Sequence, residues 1–487
     1  MPGNRPLLAA LIALATLGCE RRPDDVPVTI SVIGGAAELR ESARGPMSAA
    51  ARTYTAATAQ GLVRYDAAGG IEPGLAERWI VTDGGRSYIF RLDEAEWADG
   101  EPVTAKQVVA SLRHTIDARS RTTLAPFLAV IDEIVEMTPQ VIEVRLSRPR
   151  PDLLKLFAQP ELAVIRVGDA SGTGPFRIAD GPAGWRALRP AFNPARAEAA
   201  EAEPAATDTL LLRGERAASA IVRFAERESD LVLGGTFRDW PLLAHTEIAP
   251  ANIHVDPATG LFGLALVSRE GFLSTADNRR ALAMAIDRAA LTASVRPDWP
   301  IVETLLPSKL DSSANPAAPD WQSLPLDGRR ILARNRVAAW HAANPDGSLA
   351  IRIALPGGPG GTLVWSRVAR DLRDIGLQPQ RLGSDEDADL RLIDEVAPYD
   401  SGRWYLVTAC RQCPDGLTAL IEAAREAPTL PERASRIAAA ELAMTQDGAY
   451  IPIAQPLRWS LVALRLQAWQ ENSRAWHPLT HLRRERP

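Results

Sequence analysis

Lysine is nearly missing from this chain. It stands only at 106, 155 and 309, so 52 of the 55 Lys and Arg residues are arginine. Alongside so much alanine this reads as the coding bias of a GC-rich genome and carries no functional meaning. Cysteine is scarce too: Cys19, Cys410 and Cys413 are all there is. The six histidines, at 114, 245, 254, 341, 477 and 481, are scattered, and none has metal-ligand spacing. No metal and no cofactor is therefore expected. The G-x-S-x-G elbow, the H-E-x-x-H helix and the Walker A run are all absent. With 60 acidic residues chance carboxylate pairs are inevitable, so no pair is read as catalytic and the chain is expected not to be an enzyme. An excess of positive charge is missing as well. The net charge is −5 and the pI about 5.8, which argues against a nucleic-acid surface.

What is present is an ordinary globular composition, 46% hydrophobic and 24% charged over 487 residues. At that length two or three lobes are expected rather than a single core. Met1–Cys19 reads as a processing segment: Arg5 is a short positive region, and Leu7–Leu17 is apolar but too short to span a bilayer. Gly18-Cys19 at its end, followed at once by polar Glu20-Arg21-Arg22, resembles a bacterial lipoprotein box. Thr16 and Leu17 depart from that box, and a plain secretory signal is the other reading. Beyond it no stretch approaches the roughly 20 continuous apolar residues of a membrane helix. The mature protein is expected to be exported to the cell envelope and monomeric, tethered to a membrane at most through lipidated Cys19.

The richest local pattern is Leu75–Leu112. Trp79-Ile80-Val81 runs into the turn Asp83-Gly84-Gly85, and Tyr88, Phe90 and Leu92 then alternate as one face of a strand. Asp99-Gly100 is a second turn. Thr104 and Gln107 have capping-box spacing, and Val108, Val109, Leu112 and Ile116 give the predicted helix an apolar stripe. This order of elements, with its residues, resembles the signature region of the family 5 extracellular solute-binding proteins, the peptide-type receptors of ABC importers. Further markers follow in the family's order: Gln60-Gly61-Leu62-Val63, Gly172-Thr173-Gly174-Pro175-Phe176, the Asp277–Ser294 stretch read as one helix, and Ala449–Ile453. In that helix Leu282, Ala285, Ile286 and Ala289 share a face, with Arg280 and Arg288 away from it and Arg279 at its edge. Gly181–Thr207 reads as an exposed excursion. Leu349–Leu355, Thr362–Asp374 and Leu377–Leu382 read as a βαβ unit.

The resemblance implies an α/β periplasmic binding protein-like fold (type II, cluster C), with two main lobes plus an extra lobe and mixed sheets flanked by helices. Its lobe I would comprise 20–49, 171–263 and 464–487, its lobe II 50–170, and its lobe III 264–463, after a signal segment 1–19. It implies capture of a small solute, peptide or peptide-like, and delivery to permease and ATPase subunits, without catalysis. The alternative is a chaperone-like or sensory envelope module on the same scaffold.

The family's ADYPDP run, whose first Asp binds a peptide ammonium, is matched by Ala409-Cys410-Arg411-Gln412-Cys413-Pro414. Cys410 stands at that Asp, and a neutral sulfur cannot give an ammonium the charge-assisted bond of a carboxylate. Gln60 likewise replaces a usual Glu. Arg411 would repel a cation and could hold a carboxylate or phosphate, so an anionic solute is among the readings; a solvated surface Arg is the other. Candidate ligand contacts are therefore Gln60, Trp404, Tyr405, Cys410, Arg411 and Asp415. Trp404 and Tyr405 could stack on a ligand ring or belong to a lobe core. Cys410 and Cys413 could form a disulfide, stay unpaired, or serve a redox or metal site.

Overall fold

The structure is a computed structural model that describes residues 25–35, 47–117, 123–168, 172–192, 203–308 and 310–482. The signal segment with Cys19 lies outside the described residues. Three main sheets organise the chain, with a two-stranded ribbon of Val63–Tyr65 and Ile71–Pro73 beside them.

The seven-stranded sheet is built around Val28–Ile33, whose β-branched run suits a strand covered on both faces. Leu210–Glu215 and Leu231–Thr236 flank it in parallel. Arg186–Pro190 and Phe176–Ala179 extend one side, and Arg458–Val462 and Ile253–Val255 the other. Helix Ala49–Thr58 packs Ala50, Tyr54 and Ala57 on one face, and helix Ala217–Ala225 packs Ile221 and Phe224 on the other. The two buried polar side chains of the central strand find partners: Thr29 Oγ1 donates to Asp230 at 2.9 Å, and Ser31 Oγ to Glu215 at 2.6 Å.

The five-stranded sheet runs Gln378–Leu382, Ala350–Ala354, Leu390–Val396, Gly260–Leu266, Tyr450–Ala454. Helix Pro359–Asp374 joins the parallel pair Ala350–Ala354 and Gln378–Leu382, the βαβ unit expected. The four-stranded sheet runs Ala76–Thr82, Ser87–Leu92, Val141–Leu146, Ile131–Thr138. Helix Ala105–Ile116 lies on it with the capping box formed: Thr104 accepts from Gln107 N, and Gln107 Oε1 accepts from Thr104 N at 2.9 Å. One continuous core runs from Leu62 through this sheet to Tyr405, Ile437 and Tyr450, so the four-stranded lobe is docked on the helices Gly402–Ala409, Asp415–Glu426 and Leu430–Asp447.

Three expectations need correcting. The helix expected over 277–294 is two, Ala276–Ala285 and Arg288–Val295. Ile286 turns extended between them, and Asp287 caps the second by accepting from Ala290 N at 2.9 Å. Because of that break Arg288 is not turned to solvent but is 3% exposed, donating to the Pro452 carbonyl at 2.8 Å and the Ala283 carbonyl at 3.1 Å. Arg279 is buried too, on the Asp447 and Leu273 carbonyls. The 181–207 excursion contains a strand, Arg186–Pro190, that pairs on both sides. Finally, Gly260–Leu266 lies wholly in the five-stranded sheet and Arg458–Val462 in the seven-stranded one, so the crossings fall at 256–259 and 455–457, not at 263/264 and 463/464. Which sheet a buried strand joins depends on partners far away in the chain, and its own residues do not encode it.

Candidate functional site

The two crossings place the ends of strands from both large sheets against each other. Leu390–Val396 pairs with Gly260–Leu266, setting Glu395 opposite Leu261. Asp394 and Glu395 lie just before its last residue, Val396. Arg458, from the seven-stranded sheet, donates to Asp394 Oδ1 at 2.7 Å and to its carbonyl at 2.9 Å, so an ion pair bridges the sheets. Burial raises the Asp394 pKa against the pull of Arg458 and Arg238.

Glu395 pairs with Arg411 at 3.2 Å, with side-chain exposures of 49% for Glu395 and 42% for Arg411. Burial raises the Glu395 pKa, with Arg411 opposing.

The loop that carries Arg411 is held firmly. Cys410 caps helix Gly402–Ala409, its N–H donating to the Leu406 carbonyl at 3.1 Å. Cys410 and Cys413 are disulfide-bonded, with Cα atoms 5.6 Å apart. Arg269 Nε donates to the Gln412 carbonyl at 2.7 Å, and its other nitrogens grip both Asp447 oxygens at 3.1 and 2.7 Å. A guanidinium on a loop pinned from two sides loses little freedom when it meets a ligand.

The other expected residues have surroundings of their own. Asp415 is exposed in the first turn of helix Asp415–Glu426, where a carboxylate suits the helix dipole. Trp404 and Tyr405 are 3% and 1% exposed and pack on each other with ring centroids 4.9 Å apart, so they are core aromatics and not a stacking platform. Burial pushes the Tyr405 hydroxyl up to about 12.

Gln60 ties the chain entering the four-stranded lobe to the chain leaving it. Its Nε2 donates to the Thr173 carbonyl at 2.8 Å, while Val164 N donates to the Gln60 carbonyl at 2.9 Å. A Cβ on Gly174 would fall 2.3 Å from the Thr58 carbonyl carbon, which is why this marker needs glycine. Among the described residues no hydrogen bond or ion pair joins Gln60 to the Cys410 loop.

Sequence reasoning missed Asp394, Glu395 and Arg458, since nothing local marks them. It also missed a polar knot at 397–400. Tyr65 Oη and Gln159 Nε2 both donate to the Pro398 carbonyl, at 2.8 and 2.9 Å, and Arg474 donates to the Ala397 carbonyl at 3.0 Å. Lys155 and Arg474 pair with Asp400; burial raises its pKa, but those bonds outweigh burial and hold it below the ordinary value. Among the described residues no group of three or more His, Cys, Asp or Glu could hold a metal, and no helix is long and apolar enough to cross a membrane.

Comparison with known proteins adds a lineage. The family described as bacterial extracellular solute-binding proteins, family 5 Middle, matches residues 70–379. The probable deoxycholate-binding periplasmic protein YgiS of Escherichia coli is 31% identical over 121 residues, 21% of this chain and 23% of that one. The periplasmic oligopeptide-binding protein OppA of Haemophilus influenzae is 22% identical over 280 residues, 48% of this chain and 49% of the relative. These matches thus span between about a quarter and half of the relatives' length. The crystal structure of Haemophilus influenzae OppA in complex with RPPGFSPFR superposes with a TM-score of 0.76 at 16% identity, covering 94% of this chain and 98% of that one, which shows a shared fold.

Proposed function

Because this chain belongs to the bacterial extracellular solute-binding proteins of family 5, we propose that it captures a peptide or peptide-like solute in the cell envelope and delivers it to a permease driven by a separate ATPase. The observation that carries this reading is the pair of short crossings at 256–259 and 455–457 between two sheets, with the Arg458–Asp394 ion pair bridging them. Two lobes joined by two short segments close by rotating about them, and a ligand at the junction favours the closed form. Binding occurs without chemistry, and the chain works as a monomer, exported and anchored through Cys19.

The ligand chemistry follows from the Cys410–Cys413 loop and its partner Glu395. Cys410 and Cys413 offer neutral sulfur, and Arg411 and Glu395 already neutralise each other. The site therefore does not depend on a free peptide amino terminus. Instead it takes a solute whose carboxylate competes for Arg411. Calorimetry with di- to pentapeptides and their N-acetylated forms tests this. Acetylation is expected to change affinity by less than about tenfold. Tight binding lost on acetylation would refute the ligand reading, and failure of every peptide would refute peptide capture itself.

A further inference from the structure

A pocket of about 330 Å³ lies where the four-stranded lobe docks on the helices of the five-stranded one. Its volume is at the lower end for small-molecule sites. Phe127, Val130, Leu153, Tyr399 and Leu430 give it an apolar wall. Phe127 and Tyr399 meet edge to face across the lobe boundary, with centroids 5.8 Å apart.

The charged groups in that wall are unevenly matched. Arg433 pairs with Asp311 at 2.9 Å, and Arg403 and Arg425 both pair with Glu422, at 3.2 and 2.9 Å. Arg150 and Asp152 are left over. Arg150 donates to the carbonyls of Pro149 and Arg425. Among the described residues it has no carboxylate within 4.0 Å, and Asp152 has no cation within that distance. Both line the same pocket, and their charged ends do not reach each other.

Burial pushes the Arg150 guanidinium down to about 10, with Arg433 and Arg403 adding to the effect, so it stays charged at neutral pH. Burial raises Asp152, with Asp311 and Asp400 adding and Arg433 and Lys155 opposing. Half-buried charges of opposite sign without ion-pair partners are costly, and a ligand that brings both complements relieves both at once.

We infer that this pocket binds a small zwitterion with an apolar body, of the class of a free apolar amino acid, with its carboxylate on Arg150 and its ammonium on Asp152. The inference does not depend on the proposed transport function or on Arg411. Because the occupant touches both lobes, it would also tie the four-stranded lobe to the helices beneath it.

The test is calorimetry on the full chain with leucine and phenylalanine, and with two half-ligands, 4-methylpentanoate and 3-methylbutylamine. At least one amino acid is expected to bind, and each half-ligand about tenfold or more weaker. Asp152→Asn should weaken the amino acid about tenfold and leave 4-methylpentanoate unchanged; Arg150→Gln should weaken it similarly and leave 3-methylbutylamine unchanged. Absence of binding by both amino acids at about millimolar concentration would overturn the inference. So would half-ligands as tight as the parent amino acid, a comparison on the unaltered protein that needs no variant to fold.

Discussion

Asp230 and Arg465 show how much of this molecule rests on single polar side chains. The pair is almost fully buried, at 2% and 1% side-chain exposure, with Arg465 Nη2 2.6 Å from Asp230 Oδ2 and Nε 2.8 Å from Oδ1. Asp230 also accepts from Thr29 N at 2.8 Å, so it joins the central strand to the returning end of the chain. Replacing Arg465 by Met would strand a buried carboxylate, a change that costs about 3–5 kcal/mol. A fall of that size in urea-unfolding free energy is the expected result, and a change under about 1 kcal/mol would contradict it.

Glu441 is a milder case with a readable pH signature. It is 1% exposed, and burial raises its pKa although the Ala317 and Leu306 N–H groups donate to it. A carboxyl raised on folding binds its proton more tightly in the native state. Its contribution to stability is therefore greatest below its unfolded pKa and is lost as pH rises through the folded one. Glu441→Gln has no such loss, so the variant's stability relative to the parent should rise as pH climbs above the ordinary glutamate range. A pH-independent difference in denaturation midpoint would contradict the assignment. Neither residue announces itself in the sequence, because Asp230 and Arg465 meet across a separation of 235 residues.

At the level of elements, the legible parts are those whose signals are local. In 75–112 each boundary has its own chemistry, and the strand, turn, strand and capped helix form where Gly84, Gly100 and Thr104 place them. Thr104→Ala removes the acceptor for Gln107 N and should cost about 1 kcal/mol, or several degrees less in melting temperature if the four-stranded lobe unfolds with the rest. Thr104→Ser should keep most of that stability. Where the signal is not local, pattern reading misleads. Helical periodicity turns Arg288 outward only if residues 277–294 are one helix, and the break at Ile286 redirects it. Its carbonyl partner Pro452 comes from a strand 164 residues away. In the candidate site the same rule holds. The Cys410–Arg411–Cys413 loop is visible as a departure from a familiar frame, but its partner Glu395 comes from strand Leu390–Val396, on the far side of helix Gly402–Ala409 in the chain.

For the molecule as a whole, the decisive feature is that two lobes share two short crossings, and that Arg458 and Asp394 pair beside one of them. Both side chains are mostly buried, 16% and 15% exposed, so the pair is screened less than a surface ion pair. It joins one sheet to the other and holds their relative orientation. A ligand at the junction acts only through its differential affinity for open and closed arrangements, so anything that biases that equilibrium alters apparent affinity without touching the ligand. Arg458→Gln weakens the tie and leaves the Asp394 carboxylate short of its main cation, which favours arrangements where water reaches Asp394. The expected outcome is a larger radius of gyration for the ligand-free variant in solution scattering, together with an affinity loss of about 1–3 kcal/mol for whichever solute the parent binds. Saturating solute should then bring both proteins to the same compact radius. A variant with unchanged scattering and unchanged affinity would mean that the pair does not control the crossing, and that the lobes are held by the apolar contacts around them instead.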